Sequence, residues 1–147
     1  MKAAPDPRAA ALAPETSADT LIRLPPIRVR IGANEVAGFL RATGGARTGG
    51  FVPLTFPFRW LALPAIRGLI LQLMGGDGFL PVQEGQTFAY EHELRIETDY
   101  VLDVEGRRTA KPPRLTLKMA VSTSQCEICA HLETVLRIVP LNLEPAS

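Results

Sequence analysis

The sequence predicts an α+β protein in which a curved antiparallel sheet wraps round one buried helix. Three observations carry this. Residues 61–74 are apolar on almost every side, with only Arg67 and Gln72 clearly polar, the pattern of a helix surrounded by protein. The stretches after it alternate apolar and polar residues with the period of two that marks half-buried strands. The length of 147 residues, 46% hydrophobic and 21% charged, suits one domain with one sizeable core.

In chain order, residues 1–26 hold five of the 13 prolines and read as a disordered Pro/Ala-rich tail. Leu12, Leu21, Ile22 and Leu24 are too few large apolar side chains to offset the entropy of ordering it. Asp6, Glu15 and Asp19 do not suit a mitochondrial transit peptide. The folded domain is expected over 27–140, with 141–147 a flexible C-terminus. Ile27, Val29 and Ile31 alternate with Arg28 and Arg30 as a strand. Asn34 is placed to cap a short helix, Glu35 to Ala42, with Val36, Phe39 and Leu40 on its apolar face. Residues 44–50 are a glycine-rich loop, followed by a Pro-rich aromatic stretch, Phe51 to Trp60. Pro64 belongs in the first turn of the apolar helix or marks a kink, and the glycines from Gly75 end it. Phe88 to Ile96 reads as a strand with His92 on its apolar side, and Tyr100 to Val104 continues the period. Gly106 to Pro113 reads as a polar turn, and strands follow at Leu115 to Val121 and Ile128 to Ile138.

The composition also excludes. A net charge of +1 gives no global reason to expect nucleic acid. No apolar run reaches the roughly 18 residues of a membrane span, and no secretory leader pattern is visible, so a cytoplasmic setting is expected. Cys126 and Cys129 form a CxxC, but zinc would need two further ligands, and residues three apart on a strand point to opposite faces. Ordinary cysteines and no metal site are expected. His92 and His131 are the imidazole candidates for general acid–base work, with no carboxylate at a spacing that would orient either. Arg107, Arg108, Lys111 and Arg114 form a basic cluster: a solvated hairpin tip, or a seat for the phosphates of a carrier cofactor, which arginine forks suit.

Three segments together resemble a known family. Val52-Pro53-Leu54-Thr55-Phe56-Pro57 leads into the apolar helix, and Leu80-Pro81-Val82-Gln83-Glu84-Gly85-Gln86 follows it. With Ile31 to Gly44, which ends in Ala42-Thr43-Gly44, they resemble the MaoC-like acyl dehydratases over about residues 27–139. The likeness is to the N-terminal, non-catalytic half of the double hot-dog (R)-specific enoyl-CoA hydratases and 3-hydroxyacyl dehydratases. It implies a single hot-dog fold and an acyl thioester of CoA or phosphopantetheine as ligand, with no tightly bound cofactor.

The departures from that family matter as much. Its catalytic members carry an Asp and a His in "GDxNPxHxD" just after "ATG", where this chain reads Gly44-Gly45-Ala46-Arg47-Thr48-Gly49-Gly50. The family's "VH" histidine is Gln83 here. The resemblance therefore implies a non-catalytic subunit that shapes the acyl channel of a partner dehydratase or hydratase, as a homodimer or a heterodimer with that catalytic hot-dog subunit. The alternative is a self-sufficient homodimeric enzyme, a divergent dehydratase or an acyl-CoA thioesterase. Its polar groups would be Glu84, Gln83 and Gln86, or His92.

Overall fold

The computed structural model describes residues 20–45, 50–75 and 78–141. The elements are β1 (Thr20–Arg23), β2 (Ile27–Ile31), α1 (Ala33–Thr43), a 3-10 helix (Phe56–Ala62), α2 (Pro64–Met74), β3 (Phe79–Tyr90), β4 (Thr98–Ala110), β5 (Pro113–Thr123) and β6 (Ile128–Pro140). The six strands form one antiparallel sheet in the order β1-β4-β5-β6-β3, with β2 also on β4. The sheet is curved and unclosed, and α2 packs against one face of it, the single hot-dog arrangement that the sequence predicts. The expected tail over 1–26 is corrected in its last part. Thr20–Arg23 pairs with Glu105–Arg108 of β4, because those four residues can borrow a ready-made strand edge that compensates for their small apolar surface. Residues 1–19, and 142–147 at the other end, lie outside the described residues.

The inner face of the sheet is the core. Leu102 and Val104 of β4, Leu115, Leu117, Met119 and Val121 of β5, and Leu132, Leu136 and Ile138 of β6 are buried there. Helix α2 adds Ile66, Leu69, Leu73 and Met74. The helix comes down on β4 at Gly106, where an added Cβ would lie 2.6 Å from Leu73 Cδ1 and 3.2 Å from Leu69 Cδ2. Gly106 is thus a packing residue inside a strand. The polar turn expected from Gly106 onwards shrinks to the two residues between Ala110 and Pro113.

The expectation that the apolar helix is enclosed on all sides is also corrected. It divides into the 3-10 helix and α2, and α2 leaves Arg67, Gly68, Leu71 and Gln72 exposed. One sheet covers only one side of a cylinder; Leu71 remains 52% exposed. Pro64 opens α2 at its first position, and Gly75 closes it in the left-handed region at φ 87°. Helix α1 starts one residue before the expected cap at Asn34. Glu35 Oε1 accepts from the Gly32 amide at 3.0 Å and Glu97 Oε2 from the Ala33 amide at 2.9 Å, so side chains one turn and one strand away satisfy the open N–H groups. Phe39, Phe56 and Trp60 stack edge to face, with centroid separations of 5.4 and 6.4 Å, and join α1 to the 3-10 helix.

Candidate functional site

Strand β3 decides where the polar candidates go. It begins at Phe79 rather than near Phe88, and its register against β6 shifts between Gln83 and Gly85. Before the shift Gln83 is opposite Leu136; after it Gly85 is opposite Val135 and Gln86 opposite Thr134. Glu84 is the extra residue of this bulge. Its carboxylate accepts from Arg114 Nε at 2.6 Å and Arg137 Nε at 2.8 Å, and these two arginines face each other across β5 and β6. Arg137 alternates with buried Leu136 and Ile138, so the trio lies on the outer face of the sheet. The two guanidinium groups hold Glu84 below the usual carboxylate range, Arg114 contributing most. Such a carboxylate is a poor base and stands on the face opposite α2. Gln83 is exposed at the edge.

His92 is not on the apolar side of a strand. Strand β3 stops at Tyr90 because the amides of Glu91 and His92 both donate to the Cys129 carbonyl, at 2.7 and 3.1 Å, which turns the chain out of the ladder. The His92 ring is exposed and lies 3.3 Å from Glu127 Oε2. His131 is exposed on the outer face of β6, on the polar side as its period predicts. Cys129 is buried in β6, where burial pushes its thiol pKa up, while Cys126 sits exposed in the preceding turn at φ 70°. Among the described residues no group of three or more His, Cys, Asp and Glu side chains could hold a metal ion.

The basic cluster does not stay together. Arg108 turns inward and donates from Nη1 to the Leu73 and Met74 carbonyls at the end of α2, at 2.9 and 3.2 Å. Arg114 is engaged by Glu84. Arg107, on the opposite side of β4 from Arg108, and Lys111 in the turn remain exposed. Of the glycine-rich loop, Ala46 to Gly49 lie outside the described residues.

The structure instead brings together Gln86 and Thr134 on the inner face. Thr134 Oγ1 donates to Gln86 Oε1 at 2.6 Å, and Gln86 Nε2 donates to the Glu133 carbonyl at 3.2 Å. This pair forms the polar part of a pocket under the 3-10 helix. Pro57, Phe58, Leu61 and Ile66 roof it, and Val104, Leu117, Met119 and Leu132 supply its apolar floor. None of its lining side chains is titratable. Its volume is about 10 Å³, room for one water, and Phe58, one of its lining residues, is 40% exposed. Gln86 is among the polar groups that the sequence singles out. Thr134 is missed, although it interrupts the apolar register Leu132, Leu136, Ile138. A second, wider groove of about 520 Å³ crosses the outer face. There Arg23, Glu105, Lys118 and Glu133 stand in one row of alternating charge from β1 to β6.

No protein-family model matches the chain, and no curated protein does. Solved structures do. A hot-dog-like protein from Thermanaerovibrio acidaminovorans superposes with a TM-score of 0.63 at 15% identity, covering 89% of this chain and 90% of that one. The HadBC (3R-hydroxyacyl-ACP dehydratase) complex from Mycobacterium tuberculosis contributes a chain with a TM-score of 0.60 at 13% identity, covering 81% and 96%. The 1,4-dihydroxy-2-naphthoyl-CoA thioesterase from Synechocystis gives 0.57 at 8% identity, covering 79% and 82%. The sheet order, the helix seated on its inner face and these superpositions together make the chain a single hot-dog fold.

Proposed function

We propose that the chain is a non-catalytic hot-dog subunit that binds the acyl part of an acyl thioester, of CoA or of an acyl carrier protein, and shapes the acyl channel of a partner (R)-3-hydroxyacyl dehydratase or enoyl hydratase. The observation that carries this is the inner pocket. It is apolar apart from the neutral Gln86–Thr134 pair, a lining that suits an acyl chain and offers no group to move a proton at neutral pH. The likeness of the fold to a chain of a dehydratase complex supports the same reading. At about 10 Å³ the pocket admits an acyl chain only if its lining, Phe58 included, moves aside. The exposed Arg107 and Lys111 are the cations left to meet the phosphates of the carrier.

A second reading is a self-sufficient homodimeric dehydratase or thioesterase. The Gln86 amide in the pocket favours it, as does the likeness to a thioesterase fold. Glu84 and His92 serve it poorly from where they stand. Hydration of crotonyl-CoA and longer enoyl-CoAs, measured for this chain, for a catalytic hot-dog subunit and for both together, separates the two. A changed chain-length preference only in the mixture supports the subunit; turnover by this chain alone supports the enzyme.

A further inference from the structure

The corner that Gln86 and Thr134 make in the inner pocket has a polarity of its own. The Gln86 amide turns its nitrogen to two main-chain carbonyls, that of Glu133 at 3.2 Å and that of Thr87 at 3.5 Å. Carbonyls only accept, so both N–H groups of the side chain are committed and its oxygen is left to face Thr134. The Thr134 hydroxyl gives its single proton to that oxygen at 2.6 Å. No donor remains in the corner. What remains is acceptor capacity: the lone pairs of Thr134 Oγ1 and the second lone pair of Gln86 Oε1, to which no other group among the described residues donates. Thr134 is only 3% exposed, so bulk water does not serve it. Every other side chain that lines the pocket is apolar. Stability alone does not call for such a pair, because apolar side chains of the same shape at both positions are close to neutral or stabilising.

We infer that this corner receives one hydroxyl group, and that the acyl chains this subunit accepts carry a hydroxyl well beyond the thioester. The space of about 10 Å³ fits a single oxygen-sized group and no run of methylenes. A hydroxyl brings a proton to the waiting acceptors within that volume. A keto or ether oxygen brings only lone pairs and faces acceptors with nothing to share. A methyl group leaves the acceptors desolvated and unpaired. An ammonium group has no counter-charge there, since no lining side chain is ionisable. The inference rests on the proposed acyl-binding role and names its substrate class. The hydroxyl on the third carbon of a dehydratase substrate must touch the acid and base of the catalytic subunit, and this pocket has neither. The hydroxyl held here is therefore a second one, farther along the chain. Gln86 and Thr134 act as specificity-determining residues that read an oxygen at a set distance from the thioester, once Phe58 has moved aside.

Calorimetric titration of the full chain tests this with three kinds of probe: decanoyl-CoA, decanoyl-CoA bearing a hydroxyl on the fifth, seventh or ninth carbon, and the matching ketones. One hydroxyl position is expected to bind about tenfold tighter than the plain chain, the factor of one well-placed neutral hydrogen bond, and its ketone no tighter than the plain chain. Thr134→Val keeps the shape and removes the hydroxyl, and is expected to bring the hydroxylated and plain chains to equal affinity. Gln86→Leu with Thr134→Val makes the corner wholly apolar and is expected to do the same, with circular dichroism as the folding control for both variants. If no hydroxylated chain binds the wild type tighter than the plain one, the inference is overturned and the proposed function stands. A ketone that matches its hydroxyl, or a hydroxyl preference that survives in both folded variants, overturns it too. A wild-type chain that binds none of these thioesters overturns the proposed function, and the inference falls with it.

Discussion

Arg108 of β4 donates to the main-chain carbonyl of Leu73 across 2.9 Å and so closes the C-terminus of α2 with a cation. Four carbonyls at any helix end lack partners, and a positive charge there also meets the negative end of the helix dipole. Arg108→Ala should therefore destabilise the chain by about 1–3 kcal/mol, and Arg108→Lys should recover part of that. Urea unfolding with an unchanged slope checks it.

Gly106 and Leu69 fix how closely α2 lies on the sheet. Gly106→Val forces side-chain atoms into Leu69 and Leu73, and overpacking of this kind costs about 1–3 kcal/mol. Leu69→Asp buries an unpaired carboxylate at a site 2% exposed and should abolish soluble folded protein. Native melting of a well-folded Leu69→Asp chain would contradict this placement.

Acid should loosen the fold through Glu84 and Glu97. Glu84 is held below its ordinary pKa by Arg114 first and Arg137 second, Glu97 by the Ala33 amide first and Arg30 second. A carboxylate with a lower pKa folded than unfolded contributes stability above the unfolded value and loses it as pH falls through the folded one. Glu84→Gln should lower stability at neutral pH, where the paired carboxylate contributes, and change little once pH has fallen through the folded value, so the acid limb of the stability curve flattens. Melting temperatures from pH 3 to 7 show it, with salt reducing the difference because both groups are exposed.

The isolated chain should hydrate crotonyl-CoA no faster than buffer, since the pocket offers no acid–base group to supply the usual factor of about 10²–10⁴. Robust turnover lost in Gln86→Leu would assign the chemistry to this chain and make it the self-sufficient enzyme. Turnover lost in His92→Ala or Glu84→Gln would place the reaction outside the inner pocket altogether.

In a hot-dog complex, Phe58→Ala should shift the preferred acyl length upward. The ring roofs a pocket of about 10 Å³, and its removal lengthens the space beneath the 3-10 helix. Relative rates for short and long enoyl-CoAs in the mixture, with and without the substitution, measure the shift.

The sequence by itself determined the architecture. A period of two along β4, β5 and β6, beside an apolar stretch with Pro64 at its head and Gly75 at its end, depends only on local geometry and burial, and it leads directly to a sheet on a helix. What the tertiary structure alone decided is where the polar groups point. One extra residue at Glu84 carries that carboxylate to the outer face and sets Gln86 opposite Thr134, and no one-dimensional pattern records a bulge. Arg107 and Arg108 look alike in sequence, yet adjacent strand residues face opposite sides, so one meets solvent and the other the end of α2. Thr20–Arg23 reads as tail because its stability comes from an edge supplied by Glu105–Arg108, more than eighty residues later in the chain. Register and long-range pairing, not composition, placed the candidate site.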